Sequence, residues 1–404
     1  METWRKNLYI VWLAQFITMM GMSMVVPFLP FFIRELGVME EGDVARWSGV
    51  VFSGPFIISF FTTPLWGTLG DRYGRKLIMI RAIFGLGIAQ FLTSLSQNVY
   101  QLFIFRIIQG AISGFIPSAL AFISAESPYE KKGYAIGVLQ TATSSGQLIG
   151  PLFGGIFADL IGYRYIFQLT GLICFISGFL LIFGTKEERK NQTRKGNELK
   201  SLIENYNYAF VQNKLIKFAL MMIFLSQTSV MLVQPIFALF VEFISGEIKH
   251  ISSLAGISFS IAGLFTVLSA PWWGKRNDED VKKLGVSGYK KNLFISFFGA
   301  GISLLMQGIS RSIFQLIFFR ATFGFFLGGI TPVIYSLISR NVSEEKQGGV
   351  MGIASSFTTL SNVLGPGFGG LIASFLGLRA GFYLSAMISL LSLIIIKNLG
   401  GEEN

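Results

Sequence analysis

A chain of 404 residues that is 52% hydrophobic and only 14% charged, with a mean hydropathy of +0.59, does not compose a water-soluble domain, which is about a quarter charged. Its net charge of +11 would suggest nucleic acid in a soluble protein, but the cations lie between apolar runs, where they orient a membrane protein. The single cysteine, Cys174, excludes an intramolecular disulfide framework and reads as a packing residue.

The apolar runs are about 20 residues long, enough for a helix to cross roughly 30 Å of hydrocarbon. They are apolar on all sides, which excludes the alternation of barrel strands. Arg5 and Lys6 precede a run over 8–33 that is too long for a signal core and has no small-residue cleavage site, so it reads as a retained first helix. Further helices are expected near 48–70, 77–96, 100–124, 135–159 and 164–184. A polar stretch at 186–214 then reads as a cytoplasmic linker, and six more helices follow near 216–241, 251–273, 292–310, 314–339, 349–374 and 380–398. The fold class is an all-α membrane protein: twelve transmembrane helices in two pseudo-symmetric six-helix bundles, 1–185 and 215–404. On this path 25 of the 33 Lys and Arg fall on the side of the termini. Six fall on the other: Arg34, Arg46, Arg164, Lys249, Arg311 and Arg379. That bias predicts cytoplasmic termini.

The chain repeats itself. Leu102–Gly110 matches Leu316–Gly324, aligning Arg106 with Arg320; the Gly150-Pro151 segment matches Gly365-Pro366; and Pro64-Leu-Trp-Gly67 matches Pro271-Trp-Trp-Gly274. Three matches in one order imply a duplicated six-helix unit, an arrangement that places substrate near the bilayer midplane.

The most specific stretch is Gly67-Thr-Leu-Gly-Asp71-Arg72-Tyr-Gly74-Arg75-Lys76, between the second and third helices. Gly67 and Gly74 would allow close approach and a tight turn, Asp71 would serve a helix end, and Arg75 would reach an acid such as Glu126. With Arg106, Gln109 and Gly110 in the fourth helix, and Gly146, Gly150, Pro151, Gly154 and Gly155 in the fifth, this stretch resembles the major facilitator superfamily. The fifth-helix motif and Val26-Pro27-Phe28-Leu29-Pro30 make the chain similar to its twelve-helix drug:proton antiporters, of the bacterial multidrug exporter type. The resemblance implies a gate at residues 67–76 with Glu126, and proton coupling through Arg106. An arginine within a membrane helix is costly unless it faces a partner or cavity. Glycines four apart would serve helix packing in any membrane protein, but the added proline predicts a closely packed, pliant helix.

Candidate substrate contacts are Met22, from a first helix that also carries Met19, Met20 and Met24, and Gln140, Ser144 and Gln147 in the fifth helix. Gln227, Gln234, Tyr335, Phe357 and Asn362 complete the set, and Pro235 and Pro332 are expected to break their helices. No Asp or Glu falls in the middle of a predicted helix, so coupling is left to an end-lying carboxylate (Glu242, Asp71 or Glu126), to Arg106 and Gln109 with water, or to neither. His250 reads as a solvated loop residue.

The expectation is a monomeric multi-pass cell-membrane exporter of lipophilic or aromatic drug-like molecules. It would use no cofactor, a proton gradient for energy, and the lipid bilayer, protons and a small-molecule substrate as its only partners, with no nucleic acid. The alternatives are transport of a sugar or metabolite, or a non-transporting receptor or assembly factor. An enzyme is not expected, since the sequence has no nucleophile–base pair, metal cluster or Walker loop.

Overall fold

The computed structural model describes residues 2–187, 204, 206–246 and 248–398. Of the expected linker, 188–203 and 205 lie outside the described residues. The described residues fold as helices: α1 Thr3–Met24, α2 Leu29–Glu35, α3 Glu41–Tyr73, α4 Arg75–Ser94, α5 Val99–Ile112, α6 Phe115–Glu126, α7 Lys132–Ile161 and α8 Tyr163–Gly184. They continue as α9 Lys214–Val233, α10 Phe237–Ser245, α11 Ile251–Leu284, α12 Val286–Ile309, α13 Ile313–Asn341, α14 Glu344–Leu376 and α15 Leu378–Lys397.

Eleven spans among the described residues are long and apolar enough to cross a membrane, counting α1–α2 and α5–α6 as one each. α7 has the length, at 30 residues, but its Gly, Ser, Thr and Gln content makes it more polar. Large apolar side chains point outward, Phe183 being 83% and Phe314 82% exposed, which water would not tolerate but lipid does. The protein is a multi-pass membrane protein.

Three expected single helices are interrupted. The first breaks after Met24, where Val26–Phe28 forms a 3₁₀ turn around Pro27, and resumes as α2. The fourth breaks at Ser113-Gly114: Gly114 takes φ +116°, and Pro117 has no N–H to return to Ser113. The seventh breaks at Gln234–Ile236 around Pro235, as expected. Pro332, by contrast, does not break its helix, because α13 runs unbroken from Ile313 to Asn341. Bilayer-buried helices absorb such prolines because neighbours satisfy the freed carbonyls.

Two compact units emerge. The first comprises Met1–Thr193, Phe237–Glu242 and Gly246–Ser260; the second comprises Arg194–Ile236, Phe243–Ser245 and Ile261–Asn404. The repeat read from the sequence recurs in them bond for bond. Trp66 Nε1 donates to the carbonyl of Ala111 at 2.8 Å, and Trp273 Nε1 donates to the carbonyl of Phe325 at 2.8 Å. Asn98 caps α5 by accepting from Gln101 N, and Ser312 caps α13 by accepting from Gln315 N. Arg164 donates to the carbonyls of Ser94 and Ser96 at the end of α4, and Arg379 to those of Gly308 and Ser310 at the end of α12.

Backbone-to-backbone approach holds each unit. A Cβ at Gly110 would overlap the carbonyl of Pro55, and one at Gly324 the carbonyl of Ala262. Gly154 lies equally close to the Met24 carbonyl, and Gly369 to that of Leu232. Gly67 differs from this pattern: nothing lies within 4 Å of its missing Cβ, so the close approach expected there does not occur. Gly110→Val and Gly324→Val should each destabilise the detergent-purified protein by about 1–3 kcal/mol through overpacking, whereas Gly67→Val should leave its Tm unchanged, as thermal unfolding would show.

Candidate functional site

The α3–α4 turn carries the first of the expected motifs. α3 ends at Tyr73, Gly74 turns the chain at φ +107°, and α4 starts at Arg75. The acid that Arg75 meets is Asp71 and not Glu126: Nη2 and Nε donate to Asp71 Oδ1 at 3.0 and 3.2 Å, while Nη1 donates to the carbonyl of Ala121 in α6 at 2.7 Å. Glu126 closes α6, five residues beyond Ala121. Arg72 lies over the Tyr73 ring at 5.3 Å.

A residue that sequence reasoning left in the linker completes this turn. Glu187 accepts from Arg75 N at 2.7 Å and from Lys76 N at 3.4 Å, placing a carboxylate on the first turn of α4, where free N–H groups and the helix dipole favour it. Lys76 Nζ reciprocates by donating to the carbonyls of Ile182 and Thr185 at the end of α8. Asn7 fastens the same strand, donating to the Lys186 carbonyl and accepting from Lys186 N. A Cβ at Gly74 would lie 2.9 Å from Glu187 Oε2, the movable end of a side chain, so it is the φ of +107° that calls for glycine there. The charge run after Thr185 hid this role in the sequence.

Arg81 is the second missed residue, because it was counted among loop charges. It lies in the second turn of α4 with its guanidinium 3.3 Å from the centroid of Trp66, and Nη2 donates to the carbonyl of Ser113 at 3.2 Å. It thereby serves a carbonyl freed by the α5–α6 break.

Deeper in the first unit, Arg106 is 8% exposed and donates through Nη1 to Gln109 Oε1 at 2.8 Å. Gln109 and Gln90 both donate to the sulfur of Met22, at 3.8 and 3.1 Å. Of the four methionines in α1, Met24 is buried where Gly154 packs, and Met22 is the one that meets polar side chains. Gln140, Ser144 and Gln147 share one face of α7 and are exposed.

In the second unit, Gln227 Nε2 donates to Asn362 Oδ1 at 3.0 Å, and Thr228 donates to Ser361 at 3.0 Å. The Phe357 ring lies 5.8 Å from that of Phe210 and 6.0 Å from that of Phe224, and Gln234 lies in the α9–α10 break. Arg320, the repeat partner of Arg106, lies 5.7 Å from the ring of Phe323, which replaces Gln109. Neither the Met22 cluster nor the Gln227–Asn362 cluster includes a carboxylate.

The opposite end of the first unit carries the charges. Arg34 Nη1 donates to both oxygens of Glu242, at 2.7 and 2.6 Å. Asp159, at the end of α7, accepts from Ser252 N, Ser253 N and Ser253 Oγ at 3.3, 2.8 and 2.6 Å, capping α11. The expected fifth-helix motif abuts the same helix: a Cβ at Gly155 would overlap the Ser252 carbonyl, and one at Gly256 the Pro151 carbonyl. His250 is exposed, as expected of a loop residue.

Six-helix repeats, polar clusters without carboxylates within the apolar helices, and charged helix ends define a membrane transport protein. The chain belongs to the Major Facilitator Superfamily, whose profile matches residues 11–285 and 283–399. It is similar to the multidrug resistance protein MdtG of Proteus mirabilis (32% identical over 397 residues, 97% of this chain and 95% of that protein). It is 35% identical to the uncharacterized MFS-type transporter YuxJ of Bacillus subtilis over 94% of each chain. The likeness extends to solved folds. The bacterial homologue of the lysosomal transporter Spinster, inward-facing and occupied, aligns over 99% of this chain and 97% of its own with a TM-score of 0.80 at 14% identity. The D-xylose–proton symporter aligns over 98% of this chain and 97% of its own with a TM-score of 0.72 at 14% identity.

Replacing Glu187 with Ala should cost about 0.5–2 kcal/mol, as loss of a helix cap does, and should speed amide hydrogen exchange in the first turn of α4. Glu187→Gln, which keeps one acceptor, should fall between that variant and the wild type.

Proposed function

We propose that this protein exports lipophilic, aromatic drug-like molecules from the cytoplasm by alternating access, in exchange for protons, with both termini inside. The observation that carries the substrate class is the make-up of two polar clusters, one with buried amides and one part-buried. Met22, Gln90 and Gln109 in one unit, and Gln227, Asn362 and Phe357 in the other, combine soft, aromatic and uncharged amide groups. Thioether and aromatic surfaces adapt to varied shapes, and neutral amides bond to ligands without demanding a fixed charge. The near-full-length similarity to proteins named for multidrug resistance supports the same reading.

In this reading the α3–α4 turn is the cytoplasmic gate. Asp71, Arg75 and the Ala121 carbonyl form a link between three helices that transport must remake in each cycle, and Glu187 with Lys76 holds its base. The charge bias of the loops supports its inside location. Proton movement falls to groups that change partners. Arg106 with Gln109 is the buried candidate, and Glu242 is the candidate at the other end, where protonation would release Arg34.

Asp71→Asn should lower drug flux in proteoliposomes about tenfold while leaving the protein folded and inserted; undiminished flux would remove the gate assignment. Collapsing the pH gradient in substrate-loaded vesicles should slow export. Equal rates with and without the gradient would leave transport uncoupled.

A further inference from the structure

The two repeats close one place differently. In the first unit Lys76, at the start of α4, donates to the carbonyls of Ile182 and Thr185 at the end of α8, and Glu187 sits on the α4 amides beside it. The spacing that carries Ser94 and Ser96 onto Gly308 and Ser310, the carbonyls served by Arg164 and Arg379, carries Lys76 onto Lys290. α12 begins at Val286, ahead of the place of Arg75, so Lys290 falls in its second turn. A carboxylate strap finds no free helix-end N–H groups at that level. Among the described residues the Lys290 ammonium has no hydrogen-bonding or acidic partner.

A cavity of about 590 Å³ lies between α12 and α15 instead, lined by Lys290, Lys291, Phe294, Ile295, Ile394 and Lys397 among others. That volume is within the roughly 300–1,000 Å³ of ligand pockets. The lysines stand at one end only: Lys290 and Lys291 in the second turn of α12, and Lys397 as the last residue of α15. One turn deeper on the same faces come Phe294, Ile295 and Ile394. Phe294 is 48% and Ile394 60% exposed, on a surface that faces hydrocarbon. Charge thus gives way to apolar wall within about 5 Å, the step a phospholipid makes from phosphate to acyl chain. Lys291 Nζ is held by Asp280 Oδ1 at 3.1 Å, which leaves Lys290 and Lys397 unmatched, and no carboxylate is among the described lining residues.

We infer that this groove holds an anionic phospholipid in the leaflet at the C-terminal end of α15. Its phosphate lies between Lys290 and Lys397, and one acyl chain runs along Phe294, Ile295 and Ile394. Lysine stems lie along apolar surface while their ammonium groups reach the headgroups, and basic pockets between helices at this level attract anionic lipids. A zwitterionic lipid offers the same phosphate, but its own cation offsets the lysines.

The test is photocrosslinking of the full-length protein in phosphatidylcholine nanodiscs. A trace of phosphatidylglycerol or of phosphatidylcholine carries a diazirine in its acyl chain, and labelled peptides are mapped by mass spectrometry. Phosphatidylglycerol is expected to label the α12 and α15 groove peptides about fivefold more than phosphatidylcholine at equal dose. Lys290→Gln with Lys397→Gln should bring that ratio near one, and Ile394→Trp should fill the groove and lower labelling by phosphatidylglycerol. Lys282→Gln with Lys283→Gln removes two exposed lysines of α11 outside the cavity and should leave the ratio unchanged. Equal labelling by the two lipids, a preference that survives in a folded Lys290/Lys397 variant, or the same loss in the Lys282/Lys283 variant would each overturn the inference. So would displacement of the lipid by millimolar inorganic phosphate, which would make this a free-anion site. A severalfold gain in labelling in Glu402→Gln with Glu403→Gln would overturn it too, giving the groove to the acidic end of the chain. Crosslinking needs no gradient and no flux, so its result is separate from that of the export assays.

Discussion

Within a bilayer no water competes for backbone polar groups, and the protein is organised by where its carbonyl oxygens go. Most stay within helices, and the exceptions shape the molecule. The carbonyl of Ser113, freed by the α5–α6 break, draws Arg81 into the apolar layer. The last carbonyls of α4 and α12 draw Arg164 and Arg379 to the helix ends. Where helices touch, a carbonyl of one faces a glycine of the other, as at Gly110 with Pro55 and Gly324 with Ala262. Such contacts gain nothing from the hydrophobic effect in lipid, and depend instead on close packing that any side chain would prevent.

Duplication has kept this carbonyl pattern and released the rest. Tryptophan donors, helix caps and end-capping arginines recur in both units at matching positions. The polar and aromatic side chains between these anchors do not. Gln109 becomes Phe323, so a hydrogen bond to the buried arginine gives way to a ring. The turn at Gly74 becomes a continuous helix through Val281, and Asp278, at the place of Asp71 in the repeat, takes Arg340 of α13 as its partner. Architecture and chemistry have thus diverged at different rates within one chain.

The sequence discloses the architecture because length, apolar content and repeated spacings are one-dimensional. The spans, the bundle class and the break at Pro235 were all legible there. Breaks at Ser113-Gly114 and after Met24 were less so, because apolar residues continue through them and only the partners that rescue the backbone reveal them. Pro332 shows the reverse, a proline whose helix closes over it. Partner choice was the hardest part. Arg75 has an acid one turn behind it and another near the end of α6, and nothing in the spacing says that Asp71 wins. Glu187 was hidden by its charged surroundings, since a carboxylate that caps a helix in another part of the chain looks the same as a solvated one.

The straight run of α11 has a mechanical side. Thirty-four helical residues measure about 51 Å, against roughly 30 Å of hydrocarbon, so about 20 Å of rigid rod stands clear of the lipid. α3, at 33 residues, overhangs almost as far, and both helices end at a glycine of positive φ, Gly74 and Gly285. The overhang is stiff because it is helical to its end, so Lys282 and Lys283 are carried at the tip of a rigid arm and not on a loop.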